Sequence, residues 1–148
     1  MTHSSSDPFE LARFVDAQRH AYAIALAELR AGAKRSHWMW FIFPQVVGLG
    51  NSFMARKYAI TSAAEAKAYL AHPLLGPRLR ECVEALLAVD YRSVEQIMGD
   101  PDFLKLRSSM TLFTVVSPPE SRFSDLLKKF YGGKRDESTI SFLSGDET

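Results

Sequence analysis

Apolar residues recur along this chain at spacings of three and four, the period of a helix face. The first stripe is Leu11, Phe14, Val15, Tyr22, Leu26 and Leu29. Asp7 stands before it as an N-cap, Pro8 suits the first helical position, Glu10 has capping-box spacing, and Gly32 supplies a stop. A second start is Ser62-Ala63-Ala64-Glu65, another capping box, which runs to His72-Pro73. Proline cannot continue that helix but can open the next. Leu74, Leu75, Leu79, Cys82, Val83, Leu86 and Leu87 then trace a stripe to about Val89. Ser93 with Gln96 caps a short helix stopped by Gly99. Asp100-Pro101 caps another, which carries Leu104, Leu106, Met110, Phe113 and Val116 and breaks at Ser117-Pro118-Pro119. Phe123, Leu126, Leu127 and Phe130 mark a further amphipathic helix closed by Gly132-Gly133, and Ile140, Phe142 and Leu143 a last turn. Strand signals are scarce; only 38–43 and 112–116 have the composition of a short extended run. The pattern predicts a mainly α, compact single-domain bundle of six to seven helices, with at most one or two short strands.

Composition adds limits. A chain of 148 residues is one domain long and buries roughly 70% of its unfolded surface, so it needs no metal or disulfide to be stable. The domain is expected to span 1–148, with an ordered core at about 7–143 and tails at 1–6 and 144–148. A net charge of +1 provides no global field toward nucleic acid or anionic lipid, so a nucleic-acid partner is disfavoured. Cys82 is the sole cysteine, which excludes an internal disulfide and a cysteine zinc site. Its place on a leucine stripe reads as an inert core thiol and fits a reducing compartment. The first residues have neither the basic nor the apolar region of a signal peptide. No apolar run approaches the ~20 residues that span a bilayer. The expectation is a soluble cytoplasmic protein without a membrane partner, its oligomeric state and any cofactor left open. The histidines at 3, 20, 37 and 72 lack metal-ligand spacing, and Glu65, Glu81, Glu84, Asp100 and Asp102 form no recognised cluster, so no metal is expected.

Two places carry unusual chemistry. Ser36-His37-Trp38-Met39-Trp40-Phe41-Ile42-Phe43-Pro44-Gln45 holds both tryptophans of the protein, two phenylalanines and a histidine. So much aromatic area forms core, the wall of a pocket, or both. His37 is a candidate general acid or base, or else a structural, hydrogen-bonded histidine. Trp38 and Trp40 share a face in a strand and diverge by about 200° in a helix, so one is core and the other is free to stack on a flat ring. The second place is Lys105, Arg107, Ser108, Ser109 and Thr111. Serine is unusual in mid-helix. Small hydroxyls there allow close helix approach; with Lys105 above and Arg107 nearby they also suit a phosphate or carboxylate. Arg56-Lys57-Tyr58 reads as solvated surface. Gly132-Gly133-Lys134 lacks the spacing of a phosphate loop.

Four motifs in order give the chain a resemblance. They are the aromatic segment 36–45, His72-Pro73-Leu74-Leu75-Gly76-Pro77-Arg78-Leu79, the stretch from Asp102 to Phe113, and Phe130-Tyr131-Gly132-Gly133-Lys134-Arg135-Asp136. Over roughly 7–143 the sequence resembles the bacterial family known as domain of unknown function number 1810. The resemblance implies a compact, mainly helical fold and carries no activity with it. A more limited one links the aromatic motif, the Ala-rich helix ending near Gly76-Pro77-Arg78 and the helix with Lys105, Met110 and Phe113. This order is similar to YbiA-like N-glycosidase domains, which handle phosphorylated ribosyl compounds. Their aromatic motif carries a glutamate followed by a histidine, whereas no carboxylate lies between Lys34 and Gln45 here.

Three function classes follow. The first is a protein, enzyme or not, that takes a small anionic ligand of nucleotide or ribose-phosphate type. Its pocket would be lined by His37, Trp38, Trp40 and Gln45, with Lys105, Arg107, Ser108 and Ser109 holding the anion. The second is an adaptor that docks a protein on the aromatic surface. The third is a nucleic-acid module. The first is preferred, with His37 as its candidate catalytic residue and the two unusual segments facing one another.

Overall fold

A computed structural model describes residues 7–146. The tail expected at 1–6 and the last residues of that at 144–148 lie outside them. Nine helices occur among the described residues: α1 (Ala12–Arg30), α2 (Met39–Ile42), α3 (Phe53–Lys57), α4 (Ala63–Ala71), α5 (Leu75–Leu87), α6 (Val94–Met98), α7 (Asp102–Val115), α8 (Arg122–Tyr131) and α9 (Glu137–Asp146). The mainly helical expectation holds, but the count of six to seven is too low. The added elements are α2 and α3, each about one turn long and too short to show a period. No strand forms among the described residues; the nearest thing is an isolated parallel bridge between Val46 and Ile60. Residues 38–43 wind into α2 and its flanks, and 112–116 complete α7. Ser108 to Thr114 are buried one after another. A helix buried on every side shows no amphipathic period, which is why its end looked extended.

Helix starts refine the sequence reading. Asp7 does serve α1, its carboxylate accepting from the amides of Leu11 (2.7 Å) and Ala12 (3.0 Å). It does so across an intervening turn in which Glu10 takes a left-handed φ of 53°, so α1 opens at Ala12 rather than Pro8. Ser62 caps α4 through the Glu65 amide, but the Glu65 side chain turns elsewhere. Its oxygens accept from the Thr61 amide, the Thr61 hydroxyl and Arg13. Ser93 and Gln96 complete a reciprocal capping box. Pro101, not Asp100, occupies the N-cap of α7, without a side-chain cap. α9 runs on to Asp146, past the expected edge of the core at 143.

Two helices organise the bundle. α5 packs among α1, α4 and α8, and α7 packs against α4, α6, α8 and α9. A line of rings runs from α1 through α4 and α7 to α8. Phe14 meets Tyr69 edge-on at 5.1 Å, Tyr69 meets Phe113 at 5.5 Å, and Phe113 meets Phe123 at 5.7 Å. The α4–α5 approach depends on Gly76, where an added Cβ would sit 2.1 Å from the Leu70 carbonyl oxygen. Two polar side chains pair across several elements. Gln18 of α1 donates to the Phe41 carbonyl and the Tyr69 hydroxyl and accepts from Arg78. Arg13 pairs with Glu65 at 2.8 Å and also donates to the carbonyls of Phe9, Lys57 and Ala59. Cys82 is fully buried in α5, and burial pushes its thiol up to about 12.

The aromatic segment is fixed by one carboxylate of α1. Glu28 accepts from the amides of Arg35 (2.8 Å) and Ser36 (3.0 Å), the Ser36 hydroxyl (2.6 Å) and the Trp38 indole N–H (2.9 Å). Partial burial works to raise its pKa, but these donors favour the charged form and bring it down to about 2.

Three outcomes are expected. Gly76→Ala should cost about 1–3 kcal/mol, the usual range for overpacking, read by denaturant unfolding; an unchanged midpoint would mean that α4 and α5 have slack. Cys82 should label slowly with a thiol reagent in the native state and promptly in denaturant. Glu28 is ionised to a lower pH when folded than when unfolded, where its pKa is about 4.3. Its stabilisation is therefore present above that value and is lost as pH falls toward about 2. Glu28→Gln should cost about 1.5–3 kcal/mol at neutral pH and flatten the loss of stability between about pH 5 and 2 relative to the parent.

Candidate functional site

Lys34 and Arg35 lead into the aromatic segment, and Lys34 is the group that joins it to α7. Its amide donates to the Ile97 carbonyl, and its Nζ donates to the Ser36 carbonyl at 2.7 Å. The same Nζ lies 2.8 Å from Asp102 Oδ2 and 4.8 Å from the Trp38 ring centroid. The Lys34 side chain is only 7% exposed, so its charge is desolvated and needs Asp102. Trp38 is buried beneath it at 1% exposure, with Phe43 6.2 Å away. One helical step on, Met39, Phe41 and Ile42 are also buried, while Trp40 stays half-buried.

Trp40 is where the two unusual segments meet. The Lys105 Nζ sits 5.8 Å from the Trp40 ring centroid, within cation–π range. Asp102 is shared: Lys34 holds it closely, and Lys105 reaches its other oxygen only at 3.7 Å. Lys34 and Lys105 thus share this one carboxylate, and Lys34 has the closer contact. The Lys105 side chain is 34% exposed. Behind the ring, Trp40, Gln45, Leu49 and Tyr58 line a cleft of about 20 Å3, room for about one water molecule. Gln45 also contributes its carbonyl to the Ile60 amide, which holds the strand-like bridge at the cleft floor.

The remaining sequence-selected residues lie elsewhere. His37 is exposed and has no hydrogen-bond partner among the described residues. Arg107 is two positions beyond Lys105 and so points about 200° around the helix. It faces the α8–α9 turn, with Nη2 3.8 Å from Asp136 and a buried Nε without a protein acceptor. Ser108 returns its hydroxyl to the Leu104 carbonyl of its own helix at 3.3 Å. Ser109 is fully buried, and its hydroxyl has no protein partner. Of the α7 residues selected, Lys105 is the one that reaches the aromatic segment. The sequence reading missed Glu28, Lys34 and Asp102 as members of this corner. Only a basic residue just before the aromatic run and an acid at the start of α7 hinted at the last two.

A second polar cluster crosses α1 and α5. The Arg78 guanidinium lies 4.6 Å from the Tyr22 ring centroid, and the Tyr22 hydroxyl donates to Glu81. Burial first, and that hydrogen bond second, push the Tyr22 phenol upward. Every polar group there serves the α1–α5 contact.

The comparisons with known proteins agree with this architecture. The crystal structure of the conserved hypothetical protein Rv1873 from Mycobacterium tuberculosis, at 1.38 Å, superposes with a TM-score of 0.91 and 54% sequence identity. The match covers 93% of this chain and 99% of that one. No curated protein matches. Residues 8–143 match the family model described as protein of unknown function DUF1810, and the chain belongs to that family.

Proposed function

We propose that this protein binds a small anionic ligand of nucleotide or ribose-phosphate type at the corner formed by Trp40, Gln45 and Lys105. The observation that carries the reading is the shared carboxylate. Asp102 is committed to Lys34, so the charge on Lys105 is under-neutralised beside a half-buried indole. A fixed cation next to a flat aromatic face is what a ligand with a ring and a phosphate requires. The cleft behind Trp40 holds little more than a water, so the ligand lies against the outer rim rather than in an enclosed pocket. Gln45 provides an amide at that rim.

Binding, not catalysis, is the reading. His37 has no partner that would orient it as an acid or base. Glu28, the carboxylate bonded directly to this segment, already accepts from four donors. An N-glycosidase step would need an available carboxylate beside the ligand; none lies between Lys34 and Gln45, and Asp102 is held by Lys34 and Lys105. The adaptor alternative has less support, because Trp38, Phe41 and Phe43 turn inward and Trp40 alone of the segment's large rings stays partly outside.

The test is a titration with ADP-ribose, ATP and ribose 5-phosphate followed by tryptophan fluorescence. Trp40 should respond and the buried Trp38 should not, so Trp40→Phe removes the signal change. Lys105→Ala should weaken binding about 10-fold to 100-fold, the worth of a hydrogen bond to a charged group, and change stability by no more than about 0.5 kcal/mol. No fluorescence change or thermal shift with any of the three at millimolar concentration would refute the reading, as would full affinity in Lys105→Ala.

A further inference from the structure

Residues 47–53 are exposed one after another, the longest such run among the described residues. Three of them are large and apolar: Val47, Leu49 and Phe53, the last 67% exposed. Six large apolar residues in all are exposed among the described residues, so half of them fall within seven positions. Scattered exposed apolar residues need no explanation, but a cluster does. The loop is also held in place. The Val47 amide donates to the Ile60 carbonyl at 2.9 Å, Ser52 caps α3, and Arg56 donates back to the Asn51 carbonyl. Its apolar tip is therefore presented outward by pinned backbone.

Along the sequence, the charge flanking the tip has one sign. No Asp or Glu lies between Glu28 and Glu65 in the sequence. Arg56 and Lys57 follow the tip, and neither has an acidic partner among the described residues. The Lys57 Nζ lies 5.9 Å from the Phe53 ring centroid, so cation and apolar anchor share one edge. We propose that this loop is a peripheral membrane contact, which sets Val47, Leu49 and Phe53 into the interface of an anionic bilayer with Arg56 and Lys57 against the lipid headgroups.

The pairing of exposed apolar side chains with cations favours an anionic bilayer. Three apolar side chains stand exposed along one run, beside two cations without an acidic partner among the described residues, and a yielding apolar interface with anionic headgroups matches both. The concave alternative is the groove of about 580 Å3 between this loop and α9, but its far wall carries Glu137. Phe53, Arg56 and Lys57 do not line that groove, so it is a surface separate from the edge that carries the cations. No spanning helix is needed for such a contact; apolar side chains and headgroup attraction act together. Among the described residues none of the helices is long and apolar enough to cross a membrane, so the contact is one of surface partition, weakened by salt.

The test uses the full chain and co-sedimentation with vesicles of phosphatidylcholine alone or mixed with phosphatidylserine. Partition should appear with the phosphatidylserine vesicles and fall as salt is raised. Lys57→Gln should lower it about fivefold, the worth of one cation near an anionic surface. Phe53→Ser should lower it by at least as much. Both side chains stand largely in solvent, so thermal unfolding should be unchanged and a loss of partition reports the contact itself. Partition to neither vesicle, equal partition to both, or partition unaffected by Phe53→Ser overturns the proposal.

Discussion

The Glu28 carboxylate is the constraint on which the geometry of the aromatic segment rests. The chain leaves α1, turns, and comes back within reach of the helix it has just left. The turn closes because one side chain collects two backbone amides, a hydroxyl and an indole N–H. Hydrogen bonds to an ionised acceptor are roughly twice as strong as neutral ones, and here several converge on one group. The result decides which tryptophan is core. With its indole N–H tied to Glu28, Trp38 points inward, and the helical turn that follows brings Met39, Phe41 and Ile42 inside and leaves Trp40 at the rim.

Lys34 carries the same logic to the neighbouring helix. A nearly buried ammonium is costly unless it is paired, so Lys34 recruits Asp102 and ties the start of α7 to the aromatic segment. That commitment is what leaves Lys105 loosely held. The asymmetry between the 2.8 Å and 3.7 Å contacts is thus a consequence of burial: the more desolvated lysine takes the better geometry. A structural requirement of the core produces the charge distribution at the surface.

The interior shows how polar groups are tolerated in a bundle this small. Gln18 joins α1 to the Phe41 carbonyl, to Tyr69 of α4 and to Arg78 of α5, so one amide registers four segments. Arg13 does similar work at the other end, tying α1 to Glu65 and to the carbonyls on either side of Tyr58. In α7 the hydroxyls of Ser108 and Thr111 return to carbonyls one turn back. This lets small side chains sit at a crowded contact with α8 and α9 without leaving those hydroxyls unpaired.

Most of the helices were legible in the sequence, because local terms settle them. Ser62, Ser93 and the glycines at 99 and 132 act within a turn of themselves, and the stripe of α5 repeats often enough to define a face. The short helices α2 and α3 were not legible, since one turn shows no period. Nor was the true start of α1, where Asp7 reaches over a left-handed Glu10. The candidate site was legible only as a list of residue types. The sequence marked Trp40, Gln45 and Lys105 as unusual, but it placed Arg107 beside Lys105, where helix geometry sends the two apart. It also showed no carboxylate near the aromatic run, because Glu28 arrives from the preceding helix and Asp102 from far along the chain. Caps and periodicity are properties of neighbours in sequence, so the chain alone determined a mainly helical domain. Which charge is buried, which indole faces out and which lysine remains under-neutralised are settled by contacts between distant segments, and only the tertiary structure decided them.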